Sequence, residues 1–310
     1  MDDRAWCRPR VVPTLESMPG EEIFNANGGL ATAGQLLTVM SRKMLASHVR
    51  AGTLIRVWHG VYAQSPPDIL GRLAGLDMMT GRSVVACSNT AAQLYGFDTE
   101  ADSRIHVLDP AVRMRTSANL VVHQRVGAPL RRVEGRLVTA PAWTAIEVAR
   151  TLRRPRALAT LDCALRSGTC SHDDLMTTAR EHAGRRGIVN VRALLDHADP
   201  RAESPMESEA RLVFIDGGLP LPELQYEIID RCGQLWRVDF AWPHAKVIAE
   251  YDSVEWHANP AAFKHDRMKT ARLQECGWTT IPMVVNDVRY TPFELVARIF
   301  QRLDRAPLAG

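Results

Sequence analysis

Lysine is nearly missing from this chain: Lys43, Lys246, Lys264 and Lys269 are the only four among 38 Lys and Arg residues. Basic contacts must come from arginine, whose planar guanidinium suits phosphate, although genome base composition enriches it as well. No CxxC pair occurs among the six scattered cysteines, Cys7, Cys87, Cys163, Cys170, Cys232 and Cys276. That spacing argues against a disulfide framework or a cysteine zinc site and leaves reduced, partly buried thiols. No apolar stretch approaches the ~18 residues of a membrane span, and the N-terminus MDDRAWCRPRVVP has acids where a signal peptide is basic. A cytoplasmic protein without a membrane partner is expected. GxGxxG, P-loop and internal repeats are also lacking, so no dinucleotide or P-loop chemistry is indicated.

What is present is an ordinary core-forming composition, 46% hydrophobic and 24% charged over 310 residues. The length suggests two or three domains. Charge is uneven along the chain. Residues 1–100 carry nine basic and nine acidic side chains, 101–200 carry 16 and 10, and 201–310 carry 13 and 16.

Residues 1–22 lack periodicity and read as a flexible arm. From Leu30 to Ala63 the punctuation is clearer. Thr32 can cap a helix through Met40, Ser41 can cap a second from Arg42 to Arg50, and Gly52 closes it. The strand-like TLIRV and GVYA follow, joined by a turn at Trp58, His59 and Gly60. Helix, helix, hairpin is the order of a winged helix-turn-helix, expected over 23–65. Its second helix would present Arg42, Lys43, Ser47 and Arg50 to phosphates or base edges. A module of this order also packs on proteins, so a protein-binding role stands beside DNA binding.

Gln64–Asp68 (QSPPD) is a boundary because adjacent prolines disfavour helix and central strand alike. Residues 66–200 mix short strands with amphipathic helices, an α+β middle domain. His106, Asp109 and His123 sit on or beside its strands without spacing that indicates a site. Asp199-Pro200 ends the last helix. Ser204-Pro205 starts another, with Ser as N-cap, Pro at N1 and Glu207 in the first turn. The third part, 201–310, begins here.

Its central stretch is VDFAWPHAKVIAEYDSVEWH, residues 238–257. Two β-rich runs separated by PHA read as an antiparallel hairpin. If the turn centres between His244 and Ala245, facing residue numbers total 489 and Asp239 lies opposite Glu250. Opposed carboxylates destabilise a sheet, and a divalent cation between them reverses that sign. Alternation puts Glu250 and Asp252 on one face. The apolar Val247, Ile248 and Ala249 imply a strand covered on both sides. A solvated acidic face is the alternative to a metal site. After the strand come His257 and a helix opened by Asn259-Pro260, with Asp266 and Lys269 close to one face. A histidine and a lysine beside metal-bound carboxylates can orient water, hold a phosphate or protonate a leaving group. Together these features point to metal-dependent phosphodiester hydrolysis.

The blocks SPMESEARL, RVDFAWP, VIAEYDSVEWH and DRMKTARLQECGWTTIP resemble, in that order, the Vsr-like branch of the PD-(D/E)XK endonuclease superfamily, over residues 203–304. The resemblance implies a restriction-endonuclease-like mixed sheet flanked by helices and an endodeoxyribonuclease using Mg²⁺ or Mn²⁺. Asp239 and Glu250 would be metal ligands and Glu207 the helix-borne acid completing the set. Asp252, His257 and Asp266 fall on polar positions after the core strand. Two positions depart from the pattern. The superfamily's lysine position is Asp252, which leaves that role to Lys269 or His257, and the usual following glycine is Ser253.

LIRVWHGVYA, SNTAAQLYGF and VTAPAWTAIEVAR, within residues 25–195, resemble the antitoxin of type IV (abortive-infection, AbiEi-like) toxin–antitoxin systems. That likeness implies an operator-binding winged helix, a middle domain and a cognate toxin partner. The expected protein is thus an α+β, multidomain, DNA-acting chain. A metal-dependent nuclease and a non-catalytic antitoxin or repressor with a retained nuclease scaffold are its two main readings.

Overall fold

The computed structural model describes residues 19–112, 114–124, 127–252 and 260–304. It is a mixed α/β protein with thirteen α-helices and four small sheets among the described residues. The chain forms two compact units. One comprises the described residues up to Val84 with Pro110–Met114, and the other Val85–Asp109 with the chain from Arg115 onward.

The first unit runs α1 (Glu21–Ala26), β1 (Leu30–Thr32), α2 (Ala33–Leu36), α3 (Arg42–Arg50), β2 (Ile55–Trp58), β3 (Val61–Ala63) and α4 (Ile69–Thr80). The expected caps form. Thr32 and Gln35 make a reciprocal capping box, and Ser41 Oγ accepts from Met44 N at 3.2 Å. Gly60, at φ +73°, turns β2 into β3. Three features differ from the sequence reading, the first being that α2 stops at Leu36 instead of running through Met40. Leu30–Thr32 is a strand that pairs with β3, giving the order β1-β3-β2. A three-residue strand running into a helix cap shows no alternation to read. Helix α1 begins at Glu21 and buries Phe24 completely, so the arm expected over 1–22 does not extend that far; its first 18 residues lie outside the described ones. Phe24, Leu36, Leu45 and Leu54 form the small core.

Beyond QSPPD, Asp68 Oδ1 caps α4 by accepting from Gly71 N at 2.7 Å. The Trp58 indole N–H donates to Arg72 O at 2.7 Å. A Cβ on Gly75 would stand 2.8 Å from the Trp58 ring, so only glycine lets α4 lie this close to β2. The prolines interrupt secondary structure without ending the packing.

The second unit opens with α5 (Ser88–Tyr95), the parallel pair β4 (Ile105–Leu108) and β5 (Leu120–His123), and the antiparallel pair β6 (Leu130–Val133) and β7 (Arg136–Thr139). Helices α6 (Pro141–Ala149), α7 (Arg154–Arg166), α8 (His172–Glu181) and α9 (Ile188–Leu195) follow and share one core. Then come α10 (Pro205–Asp216), β8 (Glu223–Ile229), β9 (Leu235–Trp242), β10 (Val247–Tyr251), α11 (Pro260–Glu275), β11 (Thr279–Met283), α12 (Val285–Arg289) and α13 (Pro292–Leu303). Their strands form a mixed sheet, β11-β10-β9-β8, parallel only between β10 and β11.

The β9–β10 hairpin has the expected register: Val247 faces Trp242, Ile248 faces Ala241 and Ala249 faces Phe240. Its connection is a 3-10 turn over Pro243–Ala245, closed by Lys246 at φ +49°. Both faces of β10 are covered. Val247 and Ala249 pack with Phe214, Phe240 and Leu295, while Ile248 packs with Val238, Trp236 and Leu273.

Helix α10 is the shared wall of this unit. Leu212 belongs to the α6–α9 core, and Ala210 and Phe214 belong to the sheet's core. Buried ions lock it in place. Arg211 Nη2 donates to Asp162 Oδ2 of α7 at 2.5 Å. Glu209 accepts two bonds from Arg289 of α12, at 2.8 and 2.6 Å, and one from Arg156 of α7 at 3.4 Å. Such pairs cost desolvation and specify register more than they add stability.

Candidate functional site

Three acids come together where α10 meets β9 and β10. Glu207 reaches the site because Ser204 caps α10, accepting from Glu207 N at 3.2 Å, and because the helix is buried around it. Asp239 is carried by β9 and Glu250 by β10, one step past the last ladder pair. There Tyr251 N donates to Asp239 Oδ2 at 2.9 Å. Asp239 and Glu250 are each held through one oxygen, while the Glu207 carboxylate is also bonded by the Ser204 hydroxyl. Glu207 Oε2 accepts from Glu203 N at 2.8 Å and from Gln225 Nε2 at 2.9 Å. Glu250 Oε1 accepts from Lys269 Nζ of α11.

Burial pushes all three upward in pKa. Burial raises Asp239 to about 6, with the charges of Glu250 and Glu203 adding to it and the Tyr251 bond and Lys269 opposing. Burial also raises Glu250, opposed by Lys269 and reinforced by Asp252 and Asp266. Glu207 rises through burial and the charge of Asp239. The sheet therefore holds crowded acids with one cation among them, an arrangement that costs stability unless positive charge is added.

Hard carboxylate oxygens are the donors Mg²⁺ takes, and one or two carboxylates completed by water suffice for it. Asp239 and Glu250, each anchored by one oxygen, suit that set. Among the described residues no three His, Cys, Asp or Glu side chains are grouped closely enough to hold a metal ion as they stand. Glu207 and Asp239 feel one another's charge across the junction of α10 and β9. Asp252 is exposed, and its N donates to Met283 O at 2.8 Å. Asp266 is exposed on α11. His257 lies outside the described residues. Of the two candidates for the lysine role, Lys269 pairs with Glu250.

In the first unit, Arg42, Lys43, Ser47 and Arg50 are all exposed along α3. Arg42 and Arg50 line a groove of about 340 Å³ that Arg56 of β2 borders as well, with Leu45, Val49 and Tyr62 along it. Lys43 and Ser47 do not line it. Arg56 and Tyr62 escaped the sequence reading, and only the hairpin pairing brings them beside α3.

Two further features carry buried charge. His106 Nε2 bonds Asp102 Oδ2 at 2.9 Å and its Nδ1 meets His123 Nε2 at 2.9 Å. Glu147, only 6% exposed, is met by Arg150, Arg185 and His182. Among the described residues no helix is long and apolar enough to cross a membrane.

The family of the AbiEi antitoxin C-terminal domain matches residues 84–197, from α5 through α9. Two proteins of Mycobacterium tuberculosis, strains CDC 1551 / Oshkosh and H37Rv, both described as uncharacterized, are each 61% identical over 271 residues. The matched segment covers 87% of this chain and all of each relative.

Proposed function

This chain belongs to one family with the two Mycobacterium tuberculosis proteins, and we propose that it is a DNA-binding antitoxin-type regulator. The observation that carries the reading is the AbiEi antitoxin C-terminal domain match over 84–197. In this reading the first unit is a winged helix that binds operator DNA, and the matched region meets a cognate toxin. The exposed α3 face supports it. Arg42, Lys43, Ser47 and Arg50 approach the duplex from the helix, and Arg56 from the hairpin adds a phosphate contact at the groove. A mobility-shift assay on DNA from the chain's own upstream region tests this. The parent should retard that DNA, and replacing Arg42, Lys43 and Arg50 by alanine should abolish the shift at physiological salt. An unchanged shift would remove α3 from the interface and leave a protein-binding role.

A second reading is favoured by the anchored acids. We infer that Glu207, Asp239 and Glu250 are the remains or the working parts of a metal-dependent phosphodiesterase centre in an endonuclease-like sheet. Asp239 and Glu250 would hold Mg²⁺ or Mn²⁺, with Glu207 adding negative charge behind them. A cation bound there polarises phosphate and lowers the pKa of an attacking water. Lys269 pairs with Glu250, and in this reading its ammonium would stand beside the scissile phosphate. Asp239→Asn or Glu250→Gln should abolish Mg²⁺-dependent nicking of supercoiled DNA and metal-induced stabilisation. Parent-like behaviour of both variants in both assays would reject the assignment.

A further inference from the structure

Arg42 and Arg50 of α3 and Arg56 of β2 converge on the groove of about 340 Å³ beside α3. Arg56 reaches it from the hairpin, where it faces Tyr62 across the β2–β3 ladder. Exposed arginines elsewhere in the chain take a carboxylate partner: Arg104 pairs with Asp102, Arg201 with Asp199 and Arg237 with Glu203. Among the described residues the three at the groove have none. Like charges gathered without a counter-charge repel, so the groove is set up for an anion. Leu45, Val49 and Tyr62 line it as well. A bare inorganic anion has no use for carbon of that kind. A sugar–phosphate chain does, because its sugar rings meet apolar side chains while arginine and tyrosine bond its phosphates.

Helix geometry divides the exposed side chains of α3 into two groups. Arg42, Ala46 and Arg50 recur every fourth residue and line the groove. Lys43 and Ser47 recur in the same way one step round, and neither lines it. Each of these two stands two residues from buried Leu45, about 200° around the helix axis. They therefore form the crest opposite the core, and the groove residues form the flank beside the hairpin. A helix laid in a major groove turns its crest to the base edges and its flanks to the backbone. Lysine donates to guanine O6 and N7, and a serine hydroxyl can donate or accept.

We propose that Arg42, Arg50, Arg56 and Tyr62 seat one stretch of the DNA sugar–phosphate backbone in the groove, and that Lys43 and Ser47 are the residues that select sequence, Lys43 at a guanine. The proposal rests on the DNA-binding reading of the first unit and gives its side chains separate tasks. Ala46, with only a methyl group, leaves the seat open.

The test measures binding by the full-length parent and three variants to a duplex that the parent selects from a randomised pool and to a scrambled duplex of the same length. Arg42→Gln/Arg56→Gln should weaken both duplexes by the same factor and make the salt slope shallower by about 0.9 for each phosphate released. Ala46→Leu fills the seat without changing charge and should also weaken both alike. Lys43→Gln/Ser47→Ala should lower the preference for the selected duplex by about 10-fold or more. All these positions are exposed, so thermal unfolding should stay near the parent. A parent-like salt slope in Arg42→Gln/Arg56→Gln, or parent-like affinity in Ala46→Leu, overturns the backbone seat. A parent-like preference in Lys43→Gln/Ser47→Ala overturns the base readers. A parent that binds DNA but enriches no sequence overturns them too, and leaves the DNA-binding reading standing. A parent that binds no duplex removes that reading and the proposal with it.

Discussion

On α3, Arg42, Lys43, Ser47 and Arg50 stand in solvent. Around β9 and β10, Glu207 is buried and Asp239 and Glu250 are half-buried, and the three are tied down by Gln225, Tyr251 and Lys269. The first arrangement costs the fold little and waits for a partner that brings the opposite charge. The second works against folding, because buried like charges repel. Surface cations suit an encounter sensitive to salt, whereas crowded buried acids suit a tightly held cation. In the proposed reading, the two kinds of burial correspond to two kinds of partner, duplex DNA and a divalent cation.

The contrast should appear first in stability. Asp162 is completely buried against Arg211. Asp162→Ala leaves that guanidinium unpaired and should cost about 3–5 kcal/mol by denaturant unfolding. Arg50→Ala on α3 should stay within about 0.5 kcal/mol. Comparable losses in the two would erase the distinction.

The next effect is pH dependence. Asp239 has a folded pKa of about 6, raised by burial, against an unfolded value near ~4. Between those values the folded state binds the extra proton, so stability falls as pH rises from about 4 through about 6 and then levels. The span is on the order of 2–3 kcal/mol. Unfolding in EDTA across that window should show the decline in the parent and a flatter profile in Asp239→Asn. An equally steep profile in the variant would assign the slope to other groups.

Smaller still is the cap of α3. Ser41→Ala removes the bond to Met44 N and should cost about 1 kcal/mol in thermal or denaturant unfolding. It should also weaken DNA binding by loosening the helix that carries the basic face.

Much of this was legible in the residues. Ser41 and Thr32 announce their helices because caps are local chemistry, and the hairpin register follows from where PHA can turn. The apolar run at Val247–Ala249 correctly implies cover on both faces of β10. Other features depend on partners distant in sequence. The pairing of β1 with β3 joins residues 29 to 33 apart, from Thr32↔Val61 to Leu30↔Ala63. The Arg156–Glu209–Arg289 network joins α7, α10 and α12 and has no sequence signature. Gln225, at φ +50° within β8, was invisible because that conformation is set by tertiary context at a residue type that does not favour it.

The most direct test of this division measures duplex DNA affinity against salt for the parent, the Arg42→Ala/Lys43→Ala/Arg50→Ala variant, and Asp239→Asn. The parent and Asp239→Asn should share a steep linear decline of log K with log salt. The α3 variant should be weaker, with a slope shallower by about 0.9 for each phosphate it no longer neutralises. An unchanged slope in the α3 variant, together with loss of binding in Asp239→Asn, would contradict the account and move the DNA interface to the carboxylate sheet.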